Sequence, residues 1–260
     1  MARLIGFIGK GGTGKSTLAA LFLKYILQED IKPVLVVDAD PNSCLAELLS
    51  LEVASTVGQL KQELLDKNNR AAAKAISKYD YCEYALNNSV IESLGYDLVV
   101  MGRPQGEGCY CYVNNVIKTM IDKLKKSYAL IIVDCEAGLE HLSRKTLGQV
   151  DGAFIISDLS RKGILTGLRQ ADLMRELDID TDKKFLVINN VIDPAKLEDF
   201  NDVFASVNNS RLRYAGFIRK DAKISEFELN AKSLLDLPGD SAAYSDLVRI
   251  MEEINLANLI

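Results

Sequence analysis

The residues with the most definite chemistry lie in Gly9–Thr17, which reads Gly-Lys-Gly-Gly-Thr-Gly-Lys-Ser-Thr. Gly9, four residues, Gly14, Lys15 and Ser16 fill every position of a phosphate-binding loop. Gly11, Gly12, Thr13 and Gly14 let successive backbone N–H groups turn inward around a β-phosphate, and Thr17 opens the helix whose positive end adds to the cradle. Lys15 is expected to reach the β- and γ-phosphates, and the Ser16 hydroxyl to take a Mg²⁺ site. Three carboxylates stand where such a loop needs them: Asp38 and Asp40 in Asp38-Ala39-Asp40-Pro41, and Asp134 at the end of the apolar run Tyr128–Asp134. Asp134 is expected to hold Mg²⁺ through a water. Different chemistry is offered by Cys109-Tyr110-Cys111, in the glycine-rich stretch 102–111. Two cysteines so close bend badly into a disulfide, whereas two thiolates on one short loop can grip a soft or borderline metal. They are half of a tetrahedral or square-planar set, and two ordinary thiols at a helix start remain the other reading of the spacing.

These residues need strands that end beside one another. The run Leu4–Ile8 before the loop is short and branched, a buried strand, and Thr17–Leu27 after it has helical spacing. Further strands are expected at Val34–Asp38, Asp97–Met101, Tyr128–Asp134, Ala153–Ser157, Lys184–Asn189 and Arg213–Ile218. Helical patterns cover Cys44–Leu51, Val57–Leu65, Ala71–Leu94, Val113–Lys125 and Ile164–Leu177, and residues 240–257 close the chain. The alternation predicts a single α/β domain, doubly wound around a mainly parallel sheet with the phosphate loop after its first strand. Ligands of such sheets collect at the carboxyl ends of the strands, which points Asp38 and Asp40 at the phosphates. The competing reading of Asp40, and of Ser43, is a simple cap on the helix Cys44–Leu51.

Composition narrows the class. At 260 residues and 48% hydrophobic, the chain has enough apolar material for one large core. No apolar stretch approaches the ~20 residues of a membrane span, and the start carries no basic-then-apolar leader. Five cysteines without a leader favour reduced thiols in a cytoplasm. A net charge of −5 argues against a general nucleic-acid binder, and a tail with Asp246, Glu252 and Glu253 against Arg249 is no basic membrane anchor. His141, the single histidine, reads as a hydrogen-bonded structural residue, and Cys82 among Tyr79, Tyr81 and Tyr84 as buried filler.

With its second lysine, the string Lys10-Gly-Gly-Thr-Gly-Lys-Ser16 resembles the deviant Walker A motif of the MinD/ParA/nitrogenase-iron-protein class of ATPases. The resemblance implies that Lys10 reaches the nucleotide of a partner subunit, so that ATP joins a homodimer. It implies that Asp40 orients the attacking water, that Asp38 supports the Mg²⁺ shell, and that Gly138 is the switch II N–H sensing the γ-phosphate. It also places an adenine-contacting asparagine at Asn189; the class's usual basic residue after it is replaced by Asn190, and the proline of its adenine loop is missing from Arg219-Lys220-Asp221. Gly-Glu-Gly-Cys-Tyr-Cys (106–111) followed by Asp134-x-x-Ala-Gly-Leu-Glu-His-Leu-Ser-Arg144 narrows the likeness to the CooC family, nickel-handling ATPases that mature carbon monoxide dehydrogenase, whose close relatives serve acetyl-CoA synthase. That likeness implies one Ni²⁺ (or Zn²⁺) shared by Cys109 and Cys111 of two subunits, with one of these nickel enzymes as client. Two other readings use the same residues: an iron–sulfur carrier or reductase, and a MinD/ParA-like positioning ATPase.

Overall fold

The structure is a computed structural model. It describes residues 2–40, 43–59, 88–102, 119, 122–135, 150–177, 179, 181–208, 211–255 and 259. Cys82, Cys109, Cys111, Gly138 and His141 lie outside the described residues.

Alternating apolar side chains build a sheet with two dry faces. Along β1 (Arg3–Gly9), Leu4 and Ile8 belong to one core while Ile5 and Phe7 belong to the other. β2 (Val34–Asp38) divides in the same way, Leu35 and Val37 against Val34 and Val36. A strand buried on both faces reads as a continuous branched run, and this is the signature of a parallel sheet covered by helices. The remaining strands are β3 (Val90–Glu92), β4 (Tyr96–Val100), β5 (Leu130–Asp134), β6 (Gly152–Ser157), β7 (Lys184–Val191) and β8 (Arg213–Arg219). Their spatial order is β3-β4-β2-β5-β1-β6-β7-β8, parallel throughout except for the antiparallel edge β3. From β1 the chain first builds outward through β2 to one side and later through β6 to the other. β1 therefore stands at the switch point, where the crevice of a doubly wound sheet opens.

Helix α1 (Lys15–Gln28) lies on one face, with α6 (Ala242–Ile254) beside it. Phe22 of α1 meets Phe7 and Phe154 with ring centroids 5.5 and 5.6 Å apart, and this aromatic knot seats the helix directly after the phosphate loop. Fully burying each such ring is worth about 1.5–3 kcal/mol. Lys24, buried on the same helix, donates from Nζ to the Leu235 carbonyl at 2.5 Å and ties the C-terminal region to α1. The opposite face is covered by α3 (Arg161–Glu176), through Ile164, Ala171 and Met174, and by α4 (Asn201–Asn208), through Val203, Phe204 and Val207. Two shorter helices, α2 (Cys44–Leu48) and α5 (Ala222–Leu229), lie at the carboxyl edge of the sheet.

The predicted strands and the doubly wound architecture are present, with ends shifted by one or two residues. Several expectations are corrected. The helical pattern Ala71–Leu94 ends in a strand, since Val90–Glu92 pairs antiparallel with β4. Three branched or apolar-flanked residues suffice there because the backbone ladder, rather than periodicity, defines an edge strand. The helix over Cys44–Leu51 stops at Leu48, where Leu49 caps it and Ser50 turns to a positive φ of 53°. The closing helix spans Ala242–Ile254 rather than 240–257, because the Ser241 hydroxyl caps its start by accepting from the Tyr244 N–H at 3.2 Å.

Candidate functional site

The phosphate loop joins β1 to α1 and is held from within. The Lys10 carbonyl accepts from the Thr13 hydroxyl at 2.8 Å and from the Lys15 ammonium at 3.4 Å. Glycine is obligatory at two points. A Cβ on Gly9 would lie 2.5 Å from the Ile156 carbonyl of the adjacent strand. Gly14 has φ of +88°, and a Cβ there would meet the Asn189 amide at 2.2 Å. That amide is the loop's external brace: Asn189 Nδ2 donates to the Thr13 carbonyl at 2.8 Å, with Asn189 only 6% exposed. Asn189 thus lines the cleft with one end of its amide committed to the loop, a role its strand-end position did not disclose.

Beneath the loop, two strand-end carboxylates sit side by side. Asp38 and Asp134 are register partners on β2 and β5, and Asp134 is also the partner of Phe7 on β1. Both are fully buried. Asp38 Oδ1 accepts from the Asp40 N–H at 3.1 Å and Oδ2 from the Leu45 N–H at 3.0 Å, so Asp38 holds the start of α2, where the Ser43 side chain makes no cap bond. Burial, then the negative charge of Asp134, pushes the Asp38 carboxyl up, against the pull of those two N–H groups. Burial also pushes the Asp134 carboxyl up, against the Ser16 hydroxyl and the Lys15 ammonium. Ser16 and Lys15 act on Asp134 from nearby without meeting it at hydrogen-bond geometry. Among the described residues neither oxygen of Asp134 has a hydrogen-bond partner. A buried carboxylate with both oxygens unmatched, beside a serine hydroxyl and a lysine, fits a divalent cation or its water shell.

Above these residues opens a cleft of about 850 Å³. Gly11, Gly12, Gly14, Lys15, Ser16 and Thr17 line one end, with Asp40 beside them. Lys15 is 6% exposed, whereas Lys10 is exposed and does not line the cleft. Asn189, Asn190, Ile192, Ile218, Arg219, Lys220 and Asp221 line another part, with Ile224, Ser225 and Glu228 of α5. Ile192, Ile218, Ile224, Ser225 and Glu228 were not singled out from sequence; their signal was the position at or after the ends of the last two strands of a parallel sheet. Cys44 also lines the cleft, and Cys135 is buried behind Asp134, where burial drives its thiol up. Among the described residues no group of three or more His, Cys, Asp or Glu side chains could hold a metal ion, and no helix is long and apolar enough to cross a membrane.

A glycine cradle at a helix start, a buried lysine and two strand-end carboxylates at the switch point of a parallel sheet define a P-loop ATPase. More narrowly, a family model described as an AAA domain, AAA_31, matches residues 3–185, and the chain belongs to that family. An uncharacterised ATP-binding protein of Methanocaldococcus jannaschii is 38% identical over 252 residues, 96% of this chain and 98% of that one. The carbon monoxide dehydrogenase accessory protein CooC of Rhodospirillum rubrum is 27% identical over 191 residues, covering 68% of this chain and 71% of the relative. Among solved structures, the cell division ATPase MinD of Pyrococcus furiosus superimposes with a TM-score of 0.70 at 17% identity, covering 99% of this chain and 100% of that one, which is a likeness of fold.

Proposed function

We propose that this ATPase is a metallochaperone: two copies close on Mg-ATP, and hydrolysis drives the transfer of nickel held between them to carbon monoxide dehydrogenase or acetyl-CoA synthase. The observation that carries the ATP half is the pair Asp38 and Asp134, buried near Ser16, with the oxygens of Asp134 unmatched among the described residues. Ser16, backed by Asp38 and Asp134, would hold Mg²⁺, which when bound neutralises charge on the transferred phosphoryl group. Lys15 and the loop N–H groups would neutralise the β- and γ-phosphate oxygens. Asp40, at the mouth of the cleft, would orient the attacking water. Asn189, with its nitrogen on the loop, offers an amide oxygen, the acceptor that an adenine amino group needs. Lys10 would complete the partner's site, and Gly138 would report the γ-phosphate.

The metal half rests on Cys109 and Cys111, with the likeness to CooC in support. One described feature favours coupling between the halves. The Met101 N–H donates to the Asp38 carbonyl at 2.9 Å, so the chain leaves the nucleotide carboxylates immediately before the stretch 102–111 that carries the cysteines. The physical expectation is one Ni²⁺ (Zn²⁺ in competition) per two chains with four thiolates; structural zinc in thiolate sites is worth about 10–16 kcal/mol, enough to tighten a dimer noticeably. Anaerobic metal titration tests it. Cys109→Ser and Cys111→Ser should each abolish tight Ni²⁺ binding and leave ATP binding intact, while Cys44→Ser, Cys82→Ser and Cys135→Ser should not. Wild-type stoichiometry and affinity in either Cys-x-Cys variant would sink the metallochaperone reading, and a visible cluster spectrum would favour an iron–sulfur carrier. The fold likeness to MinD supports a positioning ATPase as the second reading. ATP-dependent binding to anionic vesicles or DNA, with no nickel bound, would decide for it.

A further inference from the structure

The cleft continues well past its phosphate end, and its far wall carries an arginine to which no role has been given, at the place where the resemblance puts a proline-containing loop. Arg219 ends β8 and lines the cleft beside Asn190, Ile218 and Lys220. Its backbone is fixed by the β7 edge, where Val191 is its register partner and the Val191 carbonyl accepts from the Lys220 N–H at 2.9 Å. Its side chain is fixed by Asp246, a residue of α6 whose carboxylate is 2% exposed. Asp246 Oδ2 accepts from Arg219 Nε at 2.8 Å and from the Arg219 N–H at 2.9 Å, and Oδ1 accepts from the second guanidinium nitrogen at 3.0 Å. Arg249, whose guanidinium lies over the Phe217 ring, adds a further contact to Asp246 Oδ1 at 3.3 Å. The guanidinium of Arg219 is therefore held in one plane, yet 45% of its side chain remains open.

That geometry separates charge from shape. Asp246 takes the Nε hydrogen and an Nη2 hydrogen of the guanidinium, one of its two forks, and matches its charge. Arg219 lines the cleft with its side chain partly exposed, and guanidinium planes stack on aromatic faces. With the triphosphate in the glycine cradle, the wall at the ends of β7 and β8, apolar at Ile192 and Ile218 and joined by Ile224 of α5, offers an apolar surface for the base. We propose that Arg219 is a specificity-determining residue that stacks on the nucleotide base, and that Asp246 is the positioning residue that locks it there. The inference rests on the nucleotide-site reading and adds to it a preference for the larger purine face.

Calorimetric titration of the full chain with ATP, CTP and inorganic tripolyphosphate, each with Mg²⁺, tests the proposal. Arg219→Ala should weaken ATP about 2- to 30-fold, shrink the preference for ATP over CTP, and leave tripolyphosphate unchanged. Arg219→Lys, which keeps the charge and loses the plane, should behave like Arg219→Ala. Asp246→Asn should lose part of the same preference while retaining Arg219. If that variant fails to fold, Arg219→Ala still decides, because Arg249 remains on Asp246. Unchanged ATP binding, equal weakening of ATP and tripolyphosphate, or full rescue by lysine would overturn the stacking role and leave an ion pair that merely fastens β8 to α6. A wild-type protein that binds neither ATP nor tripolyphosphate would overturn the nucleotide reading beneath it.

Discussion

Asp134 is where the tension between stability and chemistry is sharpest. A carboxylate with no exposed surface and no hydrogen-bond partner among the described residues weakens the nucleotide-free fold, because its hydration is lost without replacement. Asp134→Asn keeps the shape and removes the charge. The nucleotide-free variant should be more stable than wild type by about 1–3 kcal/mol, read as a higher melting temperature. Its Mg²⁺-dependent ATP hydrolysis should fall by ~100-fold. A variant that melts lower and hydrolyses ATP at the wild-type rate would remove Asp134 from the site. Asn189 shows the limit of residue-level reading. A strand-end asparagine announces a ligand contact, but its bond to the Thr13 carbonyl 176 positions away is visible only once β6 sets β7 one strand away from β1.

At the scale of elements, the cleft's far wall depends on how α5 and α6 are started. Asp221 serves both: Oδ1 accepts from the Lys223 N–H at 2.9 Å, and Oδ2 from the Ser241 hydroxyl at 2.6 Å and the Ala243 N–H at 3.1 Å. Partial burial pushes this carboxyl up, but the bonds from Ser241, Lys223 and Ala243 outweigh it and leave it below the usual carboxylate range. A depressed folded value means that the stabilisation is complete above the unfolded value of about 3.9 and is lost as pH falls through the folded one. Asp221→Ala should therefore cost about 0.5–2 kcal/mol at neutral pH, and the gap to wild type should close in acid. Chemical denaturation at both pH values measures it, and a gap that widens in acid would contradict the assignment. Helices such as α5 escape sequence reading for a related reason. α5 buries no residue fully, so it has no apolar stripe to announce it, and its start depends on a capping aspartate that also serves another helix.

For the whole molecule, the question is whether one chain contains a complete site. Lys15 is buried within the loop, whereas Lys10 is exposed and stands off the cleft. A lysine that serves its own nucleotide would be expected to line the cleft, and one that serves a partner would not. Lys10→Ala should bind Mg-ATP as a monomer with little loss of affinity and fail to form the ATP-dependent dimer, with hydrolysis falling by ~100-fold or more. Sedimentation velocity with and without ATP separates the cases, and an unchanged ATP-dependent dimer in Lys10→Ala would refute the role in the partner's site.

What the amino-acid sequence determined by itself was local and periodic. The phosphate loop is contiguous, each strand is a short branched run ending in or near its functional residue, and the alternation of runs and helices allows few topologies besides a doubly wound sheet. The pairing of Asp38 with Asp134 could be read in outline, because strand ends converge in any such sheet. Tertiary structure alone decided which buried carboxylate is left unmatched, which asparagine atom is spent on the loop, and which arginine faces the cleft. Among the described residues Asp134, between Phe7 of β1 and Asp38 of β2, has no hydrogen-bond partner, and Arg219 is rigid because Asp246 arrives from α6, 27 residues further along. Those facts depend on contacts between segments whose spacing in the chain carries no pattern. Periodicity reports which face of an element is buried, and only packing reports what it is buried against.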